Sequence, residues 1–311
     1  MWDGEVSVLA WERAGSRSPG VHFSHATGFN ALAYRDLLEG VAPFLRIHAS
    51  DLRGHGQSTL AANPKGLGSW QVYADDILRT VQELDGRPKI LAGHSLGATA
   101  SLMAALAQPQ WVSGLVLVEP VLPPPDVLRR RAFGRALSWL LPAARPRPKR
   151  GIFPTRAAVF AAYRGQGAFR HWPDHVVQDF VTGGVVDFMD DRQVRLACTP
   201  GWEEATYRAG PQNLWPAIGG LRMPVTVLVA ETRSTCPPAS VALLRARLPD
   251  ARIVTVPGTG HFLPFEAPEA VRLELRLMAR LLDGQARHNE PFEHLAQSGR
   301  DVHGLALNEI Q

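Results

Sequence analysis

Short apolar stretches rich in β-branched residues alternate along the chain with segments of helical periodicity. Seven stretches bounded by Gly, Pro or Asp have the composition of buried strands: 6–11, 21–24, 45–49, 89–92, 115–118, 225–229 and 252–256. Apolar residues recur at helical spacing between them, over 73–84, 96–107, 240–248 and 268–282. This alternation predicts an α/β protein with a mostly parallel central sheet and helices on both faces.

The stretch between the fifth and sixth predicted strands departs from this alternation. It is rich in Pro, Trp and Arg and has no strand signals. Helical patterns occur in it at 126–141, 155–163 and 175–180. We therefore predict an inserted helical lid, or cap. The predicted division of the chain is a core of residues 1–120 and 217–283, a lid of residues 121–216, and a polar, peripheral tail of residues 284–311.

Composition excludes several classes of protein. With 45% hydrophobic and 20% charged residues, the chain can bury a sizeable core and is not a disordered tail. No apolar run reaches the roughly 18 residues of a spanning helix, and the start of the chain lacks the basic residues of a signal peptide, so we expect a cytoplasmic protein. Cys198 and Cys236 are too few for a disulfide framework. Neither a metal site nor a cofactor is predicted.

The positive charge is concentrated in one part of the predicted lid. The whole chain has a net charge of +4, which makes nucleic acid an unexpected partner. Residues 126–150 alone contain eight basic and one acidic residue, a net of +7, which leaves −3 for the other 286 residues. We interpret this segment as a lid helix whose arginines face solvent. The alternative is that the basic lid helix, with Trp139, contacts an anionic substrate or membrane surface.

The pentapeptide 93–97, Gly-His-Ser-Leu-Gly, stands between a predicted strand and a predicted helix. A G-x-S-x-G motif in this position forms a sharp, strained turn that exposes the serine oxygen at the start of the helix. A serine hydroxyl needs a base to remove its proton before it can attack a carbonyl. The motif therefore indicates Ser95 as a nucleophile.

His261 is the predicted base among the 11 histidines. It follows the last predicted strand within a loop of small residues, Gly-Thr-Gly, that can approach the serine, and it comes after the serine in the chain. His94 is adjacent to Ser95, but the strained turn should direct it away, so we assign it a packing or hydrogen-bonding role. His25 and His55 lie in upstream turns and are interpreted as structural.

Taken together, these motifs resemble the α/β-hydrolase superfamily, specifically its lid-bearing serine hydrolases related to esterases and carbon–carbon bond hydrolases. The resemblance covers about residues 6–282, with the lid unplaced. It rests on HATGFN at 25–30, DLRGHGQS at 51–58, GHSLG at 93–97 and GH at 260–261. The motifs occur in the expected order at the expected strand ends. They specify the fold and serine chemistry, and they do not specify the substrate.

The resemblance implies an oxyanion hole formed by the backbone N–H groups of Thr27 and Leu96. Ala26 stands where the family usually has glycine, which alters the detailed shape of that loop. Residues 51–58 resemble a structural loop beside the site, and Arg53 and His55 are assigned no chemistry.

The acid that orients the histidine departs from the family pattern. Relatives usually place an aspartate a few residues after the strand equivalent to 225–229, but Arg233 occupies that position here. A guanidinium has no acceptor, so it cannot hold an imidazole N–H. Glu119 directly follows the apolar strand 115–118, a location from which dehalogenase-like relatives supply the acid. We predict Glu119 as the acid, with Glu231 as the alternative.

The sequence thus predicts a serine hydrolase, a carboxylesterase acting on small-molecule esters of small to medium hydrophobic acids. An aspartate nucleophile is disfavoured because the turn carries Ser95, and a metal hydrolase is disfavoured because no H-E-x-x-H pattern occurs. Hydrolysis of a carbon–carbon bond, a lactone or a thioester by the same residues stays open. So does a catalytically silent binder of small ligands, since Arg233 stands at the acid position.

Overall fold

A computed structural model of the protein describes residues 3–11, 20–87, 89–129, 151–189 and 192–289. Its centre is a seven-stranded sheet with strand order β1-β3-β2-β4-β5-β9-β10. The strands are β1 (Val8–Trp11), β2 (Val21–Ser24), β3 (Ile47–Ser50), β4 (Lys89–His94), β5 (Val112–Val118), β9 (Val225–Ala230) and β10 (Arg252–Val256). All neighbouring strands are parallel except β1, which pairs antiparallel with β3. The predicted mostly parallel α/β sheet is confirmed.

Helices cover both faces of this sheet. The described helices are α1 (Arg35–Glu39), α2 (Gln71–Asp85), α3 (Leu96–Ala107), α4 (Pro125–Arg129), α5 (Arg156–Tyr163), α6 (Asp174–Gly184), α7 (Pro200–Ala209), α8 (Trp215–Ile218), α9 (Pro238–Arg247), α10 (Leu263–Glu266) and α11 (Pro268–Asn289). Short 3₁₀ turns occur at Ala31–Tyr34, Pro109–Trp111 and Gly167–Phe169. The apolar core lies in two clusters: one face of the sheet packs on α11, the other on α2 and α3. Strands β2, β3, β4 and β9 are buried along their whole length, as is typical of a parallel sheet that is covered on both faces.

The segment between β5 and β9 contains strands as well as the predicted helices. Three short antiparallel strands, β6 (Ile152–Phe153), β7 (Val185–Phe188) and β8 (Gln193–Leu196), form a separate sheet in the order β6-β8-β7. The prediction of a helical segment without strands is therefore incomplete. The reason is length: two to four partly exposed residues give no readable alternation, and β7 follows directly on α6.

The C-terminal helix extends beyond its predicted end. We expect a helix over 268–282 followed by a polar tail from residue 284, but α11 continues to Asn289. Gly284 does not break it, because an isolated glycine costs a helix only about 1 kcal/mol. Most of the basic segment 126–150 and the tail beyond residue 289 lie outside the described residues. Among the helices that the structure describes, none combines the length and apolar character needed to cross a bilayer.

His22 makes the stability of the fold sensitive to acid. Its ring is fully buried on β2, with Nε2 3.0 Å from Ser50 Oγ, and burial, followed by the charges of His48 and Lys89, lowers its pKa to about 3. An unfolded histidine has a pKa of about 6.5, so below that pH the unfolded state binds the extra proton and stability falls. Because of His22, we expect the free energy of unfolding to fall by about 2 kcal/mol as the pH is lowered from 7 to 5.

Urea denaturation of wild type and His22→Gln at the two pH values measures this cost. The variant should lose about 2 kcal/mol less than wild type on acidification. His175→Gln is the matched control, because that side chain is more than half exposed. Equal pH dependence in wild type and His22→Gln would contradict the assignment.

Candidate active site

Ser95 lies at the turn between β4 and α3, in a strained backbone conformation. Its φ of 56° and ψ of −114° are unfavourable for a residue with a side chain. The turn is fixed on the sheet, since the Ser95 amide donates to the carbonyl of Val118 at the end of β5, at 3.0 Å. The oxygen of Ser95 is therefore placed at the carboxyl edge of the sheet, where ligands bind in folds of this kind.

Two glycines make this turn possible. A Cβ on Gly97 would lie 2.1 Å from the carbonyl oxygen of Ser24, and one on Gly93 would lie 2.6 Å from the carbonyl carbon of Gly97. Contacts this short do not occur between real side chains and backbone. The G-x-S-x-G spacing thus reflects close backbone packing on both sides of the serine.

His261 contacts Ser95 through its ring. It follows β10, and its Nε2 lies 3.1 Å from Ser95 Oγ. The backbone of His261 is held by His94, whose Nε2 lies 2.7 Å from the carbonyl oxygen of His261 and whose Nδ1 lies 2.8 Å from the hydroxyl of Tyr34. Because that carbonyl is an acceptor, Nε2 of His94 is the donor. His94 thus has the hydrogen-bonding position that we predict for it.

Glu119 contacts the other nitrogen of the same ring. It directly follows β5 with a φ of 50°, another strained conformation, and its side chain is fully buried. Its Oε2 lies 3.1 Å from Nδ1 of His261. The structure therefore places Ser95, His261 and Glu119 in one chain of hydrogen bonds, with 3.1 Å at each step.

The last residue of β9 and the loop that follows it donate hydrogen bonds to the Glu119 carboxylate. Oε1 accepts from the Ala230 amide at 2.6 Å and from Ser234 Oγ at 2.7 Å, and Oε2 accepts from the Thr235 amide at 3.1 Å. The hydroxyl of Thr235 donates to the Glu119 carbonyl at 2.9 Å and lies 3.4 Å from Nδ1 of His261. This loop is the one from which relatives usually supply the acid, and here it holds an acid that comes from elsewhere.

Sequence reasoning did not identify Ser234 and Thr235. Two of the donors to Glu119 are backbone N–H groups. Nearly every residue type has such a group, so the sequence does not reveal these donors. The only sequence signal is the pair of hydroxyl residues just after Arg233. Arg233 is exposed and has a φ of 52°. The alternative acid, Glu231, is also exposed; its Oε2 accepts from the Gly258 amide at 2.9 Å and is not brought to the His261 ring.

The loop that carries Thr27 is held by two neutral histidines. Nδ1 of His25 donates to the Ala26 carbonyl at 2.8 Å, while Nε2 accepts from the Leu52 amide at 2.9 Å. His55 Nε2 accepts from the Gly28 amide at 3.0 Å, and burial lowers the pKa of this histidine to about 4. Because an accepting nitrogen must be unprotonated, the low pKa keeps the loop intact. Both histidines have contacts of a structural kind.

The two predicted oxyanion donors occupy the expected elements. Thr27 is buried in the loop after β2, and Leu96 is the first residue of α3, directly after the serine. An N–H at the first turn of a helix has no partner within the helix and points along the positive end of its dipole. Leu96 is thus suitably placed to donate to an oxyanion, and the roles of both Thr27 and Leu96 stay predictions.

Aromatic side chains gather beside these residues. Phe29 follows the Thr27 loop, Phe262 follows His261, and their ring centroids are 6.0 Å apart. Trp172, from the segment between β5 and β9, lies 5.7 Å from Phe29 and 5.8 Å from Phe262, and it stacks on Phe265 at 4.0 Å. An apolar surface of these rings therefore adjoins both the expected oxyanion loop and His261. Within the described part of the chain, no cluster of three or more His, Cys, Asp or Glu side chains is arranged to hold a metal ion.

Comparison with known proteins agrees with this architecture. A sequence model of the alpha/beta hydrolase family matches residues 21–274. The 2-(acetamidomethylene)succinate hydrolase of Mesorhizobium japonicum is 26% identical over 280 residues, which are 90% of this chain and 93% of that enzyme. Mouse monoglyceride lipase is 29% identical over 119 residues, only 36% of this chain and 38% of the lipase.

A solved structure shows the same fold. The thioesterase domain from the curacin biosynthetic pathway superposes with a TM-score of 0.70 at 22% identity, covering 88% of this chain and 95% of that domain. At this identity the likeness concerns the fold.

Proposed function

Because the chain belongs to the alpha/beta hydrolase family, we propose that it is a serine hydrolase that cleaves carboxylic esters through an acyl-enzyme on Ser95. One observation carries the proposal: the ring of His261 lies 3.1 Å from Ser95 Oγ on one side and 3.1 Å from the Glu119 carboxylate on the other. A nucleophile, a base and an orienting acid in that order are the arrangement that activates a serine.

The reaction follows from these contacts. Nε2 of His261 takes the proton of Ser95 as Oγ attacks the ester carbonyl, and the negative charge that develops on the carbonyl oxygen is held by the N–H groups of Thr27 and Leu96. The C–O bond to the alcohol then breaks, and His261 returns the proton to the departing oxygen. His261 then takes a proton from a water molecule as the water attacks the acyl-enzyme carbonyl. The bond between the acyl carbon and Ser95 Oγ breaks, Oγ takes the proton back from His261, and the acid leaves. Glu119 holds Nδ1–H of His261 throughout and stabilises the imidazolium.

The surroundings favour an ester of a small to medium hydrophobic acid. Phe29 and Phe262 adjoin the oxyanion loop and the base, and Trp172 packs against both. An acyl chain that packs against such rings is removed from water, and binding gains about 25 cal/mol of free energy for each Å² of apolar surface buried. Thioesters, lactones and carbon–carbon bonds next to a carbonyl stay as alternatives, because their cleavage begins with the same attack.

A silent binding protein is the less favoured proposal. It is suggested by Arg233, which stands at the usual position of the acid. However, the Glu119 carboxylate lies beside the His261 ring, where an orienting acid would be needed. Ser95 and Glu119 are both held at a positive φ, a conformation that costs about 1–3 kcal/mol per residue and that is typical of active sites.

Burst kinetics with p-nitrophenyl esters test the proposed function. We expect wild type to hydrolyse p-nitrophenyl esters from acetate to octanoate, with kcat/KM greatest for a medium chain. If deacylation is the slower step, one nitrophenolate per chain is released rapidly before the steady state. Mass spectrometry of the quenched reaction should find the acyl group on the peptide that contains Ser95. Hydrolysis without any dependence on Ser95, or no hydrolysis across the series, would contradict the proposal.

A further inference from the structure

A series of buried hydrogen bonds joins the loop of Thr27 to the loop of His261. Its middle member is Tyr34, whose hydroxyl lies 3.2 Å from the Ala26 amide nitrogen and 2.8 Å from Nδ1 of His94. Nε2 of His94 lies 2.7 Å from the carbonyl oxygen of His261. Tyr34 is 1% exposed and His94 is fully buried. The hydrogen bonds therefore run from the residue before Thr27 to the backbone of the base.

The direction of each of these hydrogen bonds is fixed by chemistry. The Ala26 amide can only donate, and Nε2 of His94 donates because its partner is a carbonyl. Burial, followed by the charge of His261, holds the pKa of His94 well below its usual value, so the ring is neutral and its Nδ1 is an acceptor. The Tyr34 hydroxyl must therefore donate to Nδ1. Burial raises the pKa of this phenol, which keeps the donated proton on its oxygen.

The hydrogen bonds of Ala26 determine where the Thr27 N–H points. The Ala26 carbonyl and the Thr27 N–H belong to one planar trans peptide unit, so they point in opposite directions. That carbonyl accepts from His25 Nδ1 at 2.8 Å and from the Phe29 amide at 3.1 Å. On the other side of the residue, the Ala26 N–H donates to Tyr34. Ala26 is thus held on both sides, and Tyr34 supplies one of the two anchors.

We propose that Tyr34 is a positioning residue that fixes the oxyanion loop and the base relative to each other. The inference rests on the proposed function, since it takes the Thr27 N–H to hold the oxyanion while His261 holds the proton. Both charges develop only in the transition state, so a displaced loop lowers kcat rather than substrate binding. A misplacement of about 1 Å is enough to lower a rate about 100-fold.

Tyr34→Phe tests this role, because it removes the hydroxyl and keeps the ring, which packs 4.9 Å from Phe23 and 4.8 Å from Phe265. We expect kcat for p-nitrophenyl hexanoate to fall about 30-fold, with KM within about threefold of wild type. Tyr73→Phe is the matched control: it also removes a buried phenol hydroxyl, one that lies 2.8 Å from Thr206 Oγ1. Its kcat should stay close to that of wild type. Equal kcat in wild type and Tyr34→Phe, or equal losses in the two variants, would overturn the role.

A transition-state analogue gives a readout that a merely structural role would not move. With pentyl trifluoromethyl ketone, Ser95 Oγ bonds to the carbonyl carbon, the Ser95 proton passes to Nε2 of His261, and the carbonyl oxygen becomes an oxyanion. The inhibition constant of this ketone should rise in Tyr34→Phe by the factor by which kcat/KM falls. The Kd of p-nitrophenyl hexanoate, measured by calorimetry in the Ser95→Ala background, should not change with Tyr34→Phe. An unchanged inhibition constant would overturn the role of Tyr34.

The ketone also separates this role from the proposed function. If wild type does not hydrolyse p-nitrophenyl hexanoate but binds the ketone at Ser95, and Tyr34→Phe weakens that binding, the ester proposal fails and the role of Tyr34 stands. If the ketone forms no adduct with wild type, both proposals are wrong.

Nitrogen NMR of the wild-type protein tests the role without depending on the folding of any variant. The ring proton of His94 should be found on Nε2, with Nδ1 as a hydrogen-bonded acceptor. In Tyr34→Phe the Nδ1 resonance should shift as its donor is lost. A ring proton on Nδ1 in wild type would overturn the role of Tyr34, because its hydroxyl could then not orient His94 toward the His261 carbonyl.

Discussion

Replacing Ser95 by alanine is expected to lower kcat for p-nitrophenyl hexanoate by about 10⁶-fold. Alanine has no oxygen to attack the carbonyl, so no acyl-enzyme forms and the initial burst of nitrophenolate disappears. What remains is the help given to water by the N–H groups of Thr27 and Leu96. Steady-state kinetics together with rapid mixing would measure both the rate and the burst.

The fold should survive this change. The Ser95 side chain is 4% exposed, and its hydroxyl contacts the ring of His261, so the alanine variant loses one hydrogen bond and little volume. Ser101→Ala is the matched control: it removes a buried hydroxyl from the helix that follows Ser95, and that hydroxyl has no hydrogen-bond partner among the residues that the structure describes. Wild-type activity in Ser101→Ala and its loss in Ser95→Ala would assign the effect to the nucleophile. Full activity in Ser95→Ala would refute the mechanism.

The inner strands of the sheet were predictable because they are buried on both faces. Residues such as Leu115–Val118 must all be apolar there, and the printed sequence shows an unbroken apolar run. The small sheet of β6, β7 and β8 gave no such run, because its strands are short and Ile152, for example, is 42% exposed. The sequence pattern of a strand is thus clearest where the strand is buried, and short strands outside the core are the ones that sequence patterns miss.

For the site, the residues that belong to a local sequence motif could be predicted, and contacts between residues far apart in the sequence could not. Ser95 and His261 each belong to a short motif whose glycines are required by local backbone packing. The proposed acid has no local motif: the Glu119 carboxylate is held by Ser234 and Thr235, which are 115 or more residues away in the sequence. Sequence reasoning could exclude Arg233 by its chemistry. It could not supply the donors that hold Glu119, because most are backbone N–H groups.

Glu119→Gln is expected to lower kcat by about 10⁴-fold, with little change in KM. Glutamine keeps the shape of the side chain, but its neutral amide does not stabilise the imidazolium, and an N–H turned toward Nδ1 favours the wrong tautomer of His261. Kinetics on p-nitrophenyl hexanoate measure the loss. The urea denaturation of the variant reports whether its chains are folded, so a slow enzyme is distinguished from an unfolded one.

Glu231→Gln is the matched control, and it decides between the two carboxylates. Glu231 accepts a hydrogen bond from the Gly258 amide, which a glutamine oxygen can accept equally well, so we expect activity within about twofold of wild type. Loss of activity in Glu231→Gln with Glu119→Gln unaffected would return the acid to the loop after β9. Loss of activity in Glu119→Gln alone would mean that the loop after β9 positions the acid without supplying it, since Ser234 and Thr235 in that loop, with Ala230 at the end of β9, all donate to Glu119.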